Sequence, residues 1–506
     1  MKIGARKAVL VSTLCLFLVG GLLVSLSGVA QAQDRDRIDS LFEQAKDNWQ
    51  RGNSQQAAEL LKSLLAEDPS HEIAYDLLRK AEYQMFLDML KQGGDAELVA
   101  TELLRLAHRG EQEKVKDEGA IRALVETAIH GETYADREEA VRMLVAKHGE
   151  YAVPYLYHYL GSNDTDERVY AILALSELSS QAVLPLIEAL ASDDFKVQQN
   201  ASLVLQKIGD VRAIGALAAL ATHATNPAVK DAATQAVTVL AEKMKCEKCD
   251  GCGKCGSDEL TAALAYQWLA AKYYARDARV IKNYDDNYVV WSFKDGKLVS
   301  REVPPTLYRL ELAEEACFDA LAEEADNQMA RNLLAAVHYA QWGAIESLPA
   351  DMQSDEAVAA MTARIWNVLA ITAAQGTDTQ LGALALGLKW GDANISMGAL
   401  AALPITWDSR EITAESPLVA ALDAPDKVVR FAAAIAALKL VPMTPFPGSE
   451  KVVPIAAQAA DAGSARQVLL IEPDPEVRAK AMREMDKAGL YSVAEANAVA
   501  GFRRAK

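Results

Sequence analysis

The sequence predicts a mostly α-helical protein in which pairs of helices stack side by side into an α-solenoid. One plan, an apolar helix, a short polar turn and a second apolar helix, recurs about every thirty residues between residues 153 and 240. The chain of 506 residues is 51% apolar but only 6% aromatic, which suits close-packed short helices better than sheets. Helix pairs of this length cannot bury their apolar faces alone, so they must stack on their neighbours. We expect such a protein to act through a surface.

The three repeats share a polar residue in the turn and a Val three residues later. These residues are Asp166 and Val169, Asp194 and Val197, and Asn226 and Val229. The turn residue can cap the second helix while the Val packs inward beneath it. The pattern resembles HEAT repeats, whose turn acid is followed by Val and often by Arg. Farther along the chain, Asp426-x-x-Val429-Arg430 follows an apolar segment at 417–422 and resembles the same family.

Two other helical stretches have a different spacing of small and large residues. Ala45, Asn48, Ala57, Leu61, Leu64 and Pro69, with a turn at Gly52-Asn53, are spaced as in a tetratricopeptide repeat, and the stretch 37–78 resembles one. Pro69 is expected to close the second helix. After Pro304-Pro305, the spacing of Ala313, Cys317 and Ala320 resembles the same family. Cys317 falls on an apolar helix face, so we expect a buried free thiol.

One segment departs from the helical pattern. Residues 288–293 and 298–303 are rich in β-branched and aromatic residues and flank Lys294-Asp295-Gly296-Lys297. Asp-Gly between two such runs predicts a β-hairpin. An isolated hairpin is only marginally stable in water, so we expect it to lie on neighbouring helices.

The N-terminus predicts export. Lys2, Arg6 and Lys7 precede an apolar run, and small residues follow at Ala30-Gln31-Ala32, as in a secretory signal cleaved after Ala32. The run is long enough that an uncleaved membrane anchor is the alternative. Both place the body of the protein in the periplasm or cell envelope. The net charge of −18 argues against nucleic acid as a partner and favours solubility or basic partners.

A glycine-rich loop carries four closely spaced cysteines, Cys246, Cys249, Cys252 and Cys255. Its glycines disfavour a helix and allow four thiolates to surround one centre, so a structural zinc site is the first hypothesis. Two disulfides are the main alternative, because exported proteins meet oxidising conditions. An iron–sulfur cluster is a third, although Cys255-Gly256 departs from the ferredoxin pattern. A metal- or thiol-dependent redox activity at this loop is therefore the alternative function.

Catalytic motifs are otherwise absent from the sequence. We find no phosphate-binding loop, no nucleophile elbow and no H-E-x-x-H. His158 and His338 fall within apolar helical stretches and are expected to be core histidines. Glu311, Glu314, Glu315, Glu323 and Glu324 are expected to form one solvated helix face. We therefore predict no enzymatic activity and no organic cofactor.

The C-terminal residues 466–506 have the order strand, acid, helix, strand. Residues 466–471 precede Glu472-Pro473, residues 477–487 are helical in pattern, and Tyr491 and Val493 follow. This order resembles the first third of a response-regulator receiver domain, in which two adjacent acids bind magnesium. Pro473 stands at the place of the second acid, which argues against magnesium binding and phosphoryl transfer. A receiver-like signalling protein is a second alternative function.

These predictions combine into an exported scaffold that binds other proteins through the concave faces of its helices, with no membrane contact beyond an N-terminal anchor. The predicted order is a signal peptide (1–32), a tetratricopeptide-like region (34–112), HEAT-like repeats (113–245), the cysteine loop (246–257), tetratricopeptide-like helices with the hairpin 288–303 (258–345), a second HEAT-like region (354–460) and the receiver-like segment (466–506).

Overall fold

The computed structural model describes residues 35–81, 83–244, 260–282, 288–348, 356–440 and 445–463, two strands at 467–471 and 491–495, and the helical residues 477–478, 480–482 and 485 between them. The chain divides into two compact units, one ending at Tyr155 and the other beginning at Leu156. Helices make up most of the described residues in both units, as the sequence predicts.

The first unit consists of seven described helices before residue 149. They are α1 (35–50), α2 (Ser54–Ala66), α3 (His71–Lys80), α4 (Tyr83–Gln92), α5 (Gly94–Val115), α6 (Glu118–His130) and α7 (Tyr134–Lys147). Ala45, Leu61 and Leu64 are fully buried in one apolar core, which confirms the packing positions expected from the sequence. The turn at Gly52 has the positive φ of 81° that glycine favours, and α2 ends before Pro69 as predicted.

The second unit continues as helical pairs. After α8 (Val153–Leu156), where the two units divide, come α9 (Thr165–Glu177), α10 (Val183–Ala189), α11 (Phe195–Ile208), α12 (Ile214–His223), α13 (Pro227–Met244), α14 (Ala262–Tyr274), α15 (Pro305–Glu323), α16 (Gln328–Glu346), α17 (Glu356–Ala373), α18 (Thr377–Trp390), α19 (Ala393–Thr406), α20 (Pro417–Leu422), α21 (Lys427–Leu440) and α22 (Val452–Gly463). The second helices of the first three pairs pack in the order α9, α11, α13. The predicted mostly α fold of stacked helical pairs is confirmed.

The turn acids cap the second helices, and the predicted register holds in three of the four pairs. Asp194 accepts a hydrogen bond from the Lys196 amide, and Val197 is 5% exposed. The same arrangement buries Val229 and Val429. A capping side chain satisfies an N–H group that has no partner within the helix, which fixes where the helix begins.

The predicted register of the first pair is wrong by two residues. Asp164, and not Asp166, caps α9, because its side chain accepts hydrogen bonds from the amides of residues 166 and 167. Glu167 therefore occupies the place of the inward Val, and it accepts a hydrogen bond from the Ser162 hydroxyl. Val169 is 45% exposed as a result.

An arginine four residues after the cap closes several of these turns. Its guanidinium donates to a backbone carbonyl two residues before the cap: Arg168 to Ser162 at 2.7 Å, Arg430 to Ala424 at 2.6 Å, Arg331 to Ala325 at 2.6 Å, and Arg137 to Gly131. The bond satisfies a carbonyl oxygen that the turn would otherwise leave without a partner. Arg331 lies in the stretch whose spacing resembles tetratricopeptide repeats, so the same turn chemistry extends beyond the HEAT-like segments.

The predicted β-hairpin is present. β1 (Val289–Lys294) pairs antiparallel with β2 (Lys297–Glu302) across a two-residue turn in which Asp295 and Gly296 both have positive φ. As expected, it lies on helices: Val289 and Trp291 are buried, and the Tyr157 hydroxyl donates to the Gly296 carbonyl at 2.9 Å. At the C-terminal end, β3 (Gln467–Ile471) and β4 (Tyr491–Glu495) pair in parallel, with helical residues between them. That order matches the prediction, while the likeness to a receiver domain stays a prediction.

Candidate functional site

The metal site predicted from the sequence lies outside the described residues. Cys246, Cys249, Cys252 and Cys255 all fall between 245 and 259, and Glu472 and Pro473 are also outside. Within the ranges that the structure describes, no group of His, Cys, Asp and Glu side chains is arranged to hold a metal ion. None of the described helices combines the length and the hydropathy that a membrane span requires.

A small cavity lies in the second unit where the repeat helices meet the β-hairpin. Its walls come from α10, the 3₁₀ turn 211–213, α14, β1 and α15. Gly215 allows the close approach of α12 to α14, because a Cβ atom there would lie 2.6 Å from the Tyr266 ring. The cavity encloses about 50 Å³, which is room for a few water molecules and too little for an organic substrate.

Three carboxyl groups line this cavity: Glu188 on α10, and Glu315 and Asp319 on α15. Burial, followed by the charge of Asp319, raises the pKa of Glu188 to about 7. Burial and the charge of Glu323 raise the pKa of Asp319 to about 6. Glu315 lies in the same concave wall with its side chain still open to water, and partial desolvation together with Glu188 raises its pKa to about 8. The pKa values of all three groups are therefore shifted towards neutral pH.

The cation at the edge of the cavity is already paired. Arg212 is 3% exposed, and its Nε and Nη2 atoms donate to Asp210 at 3.1 and 3.0 Å. Lys282 adds a further contact to Asp210 at 2.7 Å. Burial opposes the charge of Arg212, but Asp210 outweighs it and raises the Arg212 pKa above its ordinary value. Arg212 also donates to the Ser180 carbonyl at 2.7 Å, so this pair joins successive repeats.

An adjoining side of α15 carries a buried polar cluster. Arg364 of α17 donates to Glu314 at 2.8 Å and to Glu311 at 2.5 Å. Gln341 and His338 of α16 contact Glu314 at 2.7 and 3.2 Å. Burial opposes the ionisation of Glu314, but the hydrogen bonds from His338 and Arg364 prevail and lower its pKa to about 2. Three side chains from α16 and α17 thus hold three helices together around an ionised carboxylate.

These contacts correct the prediction of one solvated glutamate face. Glu311 and Glu314 are 7% and 3% exposed. Sequence reasoning missed them because a Glu-rich helix gives no sign of the hydrogen-bond donors that two other helices supply. His338 is a satisfied core histidine as expected, while His158 is exposed, which contradicts its prediction. Cys317 is a buried free thiol, as predicted, and burial raises its pKa.

An exposed apolar face runs along the second helices of the repeats. Leu173 of α9 and Leu203 of α11 both stand nine residues after their capping acid and are 41% and 37% exposed. Val169 and Val239 are exposed on α9 and α13. We call Val169, Leu173, Leu203 and Val239 the open face. Ile435 stands nine residues after Asp426 in the later pair and is 44% exposed.

Residues 153–238 match the HEAT-repeat family. The match runs from α8 into α13 and includes Val169, Leu173 and Leu203 of the open face, together with α10 and the 211–213 turn of the cavity wall. HEAT repeats in general mediate protein–protein interaction. Among curated proteins, none matches this sequence significantly.

Proposed function

We propose that this protein is an exported, non-enzymatic scaffold that binds another protein through the open face of its HEAT repeats. The observation that carries the proposal is the recurrence of an exposed leucine at one helical register, at Leu173 and Leu203 on helices that pack together. A single exposed leucine on a surface is ordinary. Apolar side chains aligned on neighbouring helices instead form a contiguous apolar surface, which a bound partner can bury.

The register explains how this face stays free. On α11, Ala201 and Leu205 point into the stack and are at most 1% exposed, so Leu203 between them faces away from it. On α9, Ala171 and Leu175 flank Leu173 in the same way. The repeat stack therefore buries its core without using these two leucines, which supports a role outside folding.

The test is a charge placed on this face in the full-length protein. Leu173→Glu with Leu203→Glu should abolish recovery of partners by affinity capture from the source cells, while the circular dichroism spectrum stays that of the wild type. Leu98→Glu on α5 is the matched control, because Leu98 is 70% exposed in the first unit. Equal recovery of the same partners by the double variant and the wild type would refute the open face as the binding surface.

We propose export because residues 1–32 contain basic residues, then an apolar run, then small residues, as a secretory signal does. Together with the acidic charge, it favours a periplasmic or envelope location and argues against nucleic acid as a partner. Measurement of the N-terminus of the protein isolated from its source tests this. A cleaved signal gives Gln33 as the first residue, whereas an intact N-terminus supports the anchor.

We propose further that Cys246, Cys249, Cys252 and Cys255 hold a structural zinc ion, with two disulfides as the alternative. The four cysteines stand within ten residues of glycine-rich chain, which allows four thiolates to surround one tetrahedral centre. Native mass spectrometry separates the two. Zinc adds the mass of one metal ion that a chelator removes, whereas two disulfides lower the mass by four hydrogen atoms and resist chelation.

A further inference from the structure

We propose that Glu188, Glu315 and Asp319 form a pH-sensitive latch that holds α15 and the β-hairpin against the repeat helices while protonated and loosens them when ionised. The three carboxyl groups face one cavity from two opposed elements, Glu188 from α10 and the other two from α15. The latch requires no partner protein, so it does not depend on the proposed function.

Glu188 connects the latch to the hairpin. Its carboxylate accepts a hydrogen bond from the backbone amide of Phe293 in β1 at 3.2 Å. The Phe293 ring also packs edge-on against Tyr157, with ring centres 6.3 Å apart. Movement of α10 away from α15 would therefore disturb the hairpin as well as the helices.

No cation among the described residues forms an ion pair with the three carboxyl groups. Arg212, in the 211–213 turn, is held by Asp210. Arg301 of β2 approaches Glu315 but pairs with Glu311 at 2.7 Å. Ionisation of the three groups would thus place like charges on facing walls of one small cavity.

The remaining groups around the cavity add negative charge or are neutral. Glu323 on α15 raises the pKa of Asp319, and its carboxylate lies 2.9 Å from His223 Nε2 of α12. Tyr266 and Tyr273 of α14 are neutral phenols whose pKa values burial raises further. Two weaker contacts favour the ionised form, the Phe293 amide at Glu188 and Arg301 near Glu315, but burial and the neighbouring acids outweigh both of them.

The direction of the pH effect follows from the raised pKa values. A carboxyl group with a raised folded pKa stabilises the closed state below its ordinary pKa, and this contribution is lost as pH rises through the folded value. For these groups the loss begins at their ordinary pKa values of 3.8 to 4.5 and ends at the folded values of about 6 to 8. Glu188 alone, with its pKa raised from 4.5 to about 7, predicts an increase of about thirtyfold in the opening equilibrium from pH 5.5 to 8.5.

Hydrogen exchange of the full-length protein tests the latch. Protection factors, corrected for intrinsic exchange rates, are measured at pH 5.5, 7.0 and 8.5 for peptides from α10, the hairpin and α15. We expect protection to fall by about thirtyfold or more across this range. Peptides from α2 and α5 in the first unit serve as an internal reference whose protection changes less.

Two variants identify the groups responsible. Glu188→Gln with Asp319→Asn should keep at pH 8.5 most of the protection seen at pH 5.5. Asp295→Asn, on the exposed turn of the hairpin, should retain the wild-type pH response. The latch is refuted if protection in the wild type does not change with pH. It is also refuted if the double variant keeps the wild-type pH response, or if it loses protection at every pH.

Discussion

Replacement of Val197 by Asp tests the repeat register at a buried position. The Val197 side chain is 5% exposed, and a Cβ atom on Gly161 would lie 3.1 Å from it and 2.6 Å from the Asp194 carboxylate. Val197→Asp therefore removes a buried apolar side chain, at about 2 kcal/mol, and inserts a carboxylate beside another one. An unpaired buried polar group costs about 2 to 3 kcal/mol more.

A favourable effect of the helix dipole on Asp in the first turn, about 0.5 kcal/mol, does not alter the balance. We expect a net loss of about 4 kcal/mol, or about a thousandfold loss of protection from hydrogen exchange in α11. Val169→Asp is the matched control, because Val169 has the equivalent place in the sequence pattern but is 45% exposed. It should cost under about 1 kcal/mol. Equal protection in the two variants would refute the register.

The remaining predictions concern the polar cluster, the hairpin and the helix contact. Because the pKa of Glu314 is lowered from 4.5 to about 2, its ionised carboxylate stabilises the fold at pH values above 4.5. This stabilisation is lost as the pH falls from 4.5 towards about 2. Glu314→Gln should cost about 3 kcal/mol at pH 7 and reduce the acid sensitivity of α15 to α17 in urea unfolding monitored by tryptophan fluorescence. Gly296→Val should cost about 1 to 2 kcal/mol at a positive φ of 74°, visible as faster exchange in β1; exchange there unchanged from the wild type would contradict this. Gly215→Ala should cost about 1 to 3 kcal/mol through contact with the Tyr266 ring, and an unchanged urea midpoint would contradict that contact.

Much of the fold is readable from the sequence because periodicity and turn chemistry act locally. The spacing of apolar residues determines which face of each helix is buried, as at Leu61 and Leu64. Asp295-Gly296 predicts the hairpin because its backbone conformation requires residues that tolerate positive φ. The error at Val169 has a local cause as well. Several polar residues in that turn are able to cap, and hydrogen bonds from the amides of residues 166 and 167 select Asp164.

The candidate site is less predictable, because its residues come from distant parts of the chain. Glu188 and Asp319 are 131 positions apart and share a cavity only because α10 and α15 pack around the hairpin. The sequence also gives no sign that Glu311 and Glu314 are buried, since the cations that make burial tolerable belong to other elements.

By itself, the sequence determined that this chain forms stacked helical pairs with one hairpin, because amphipathic periodicity and capping are properties of a few neighbouring residues. Only the tertiary structure decided which acids are ionised, which are protonated, and which leucines remain on the surface. Those properties depend on desolvation and on charges brought close by packing, and a linear pattern of residues contains neither.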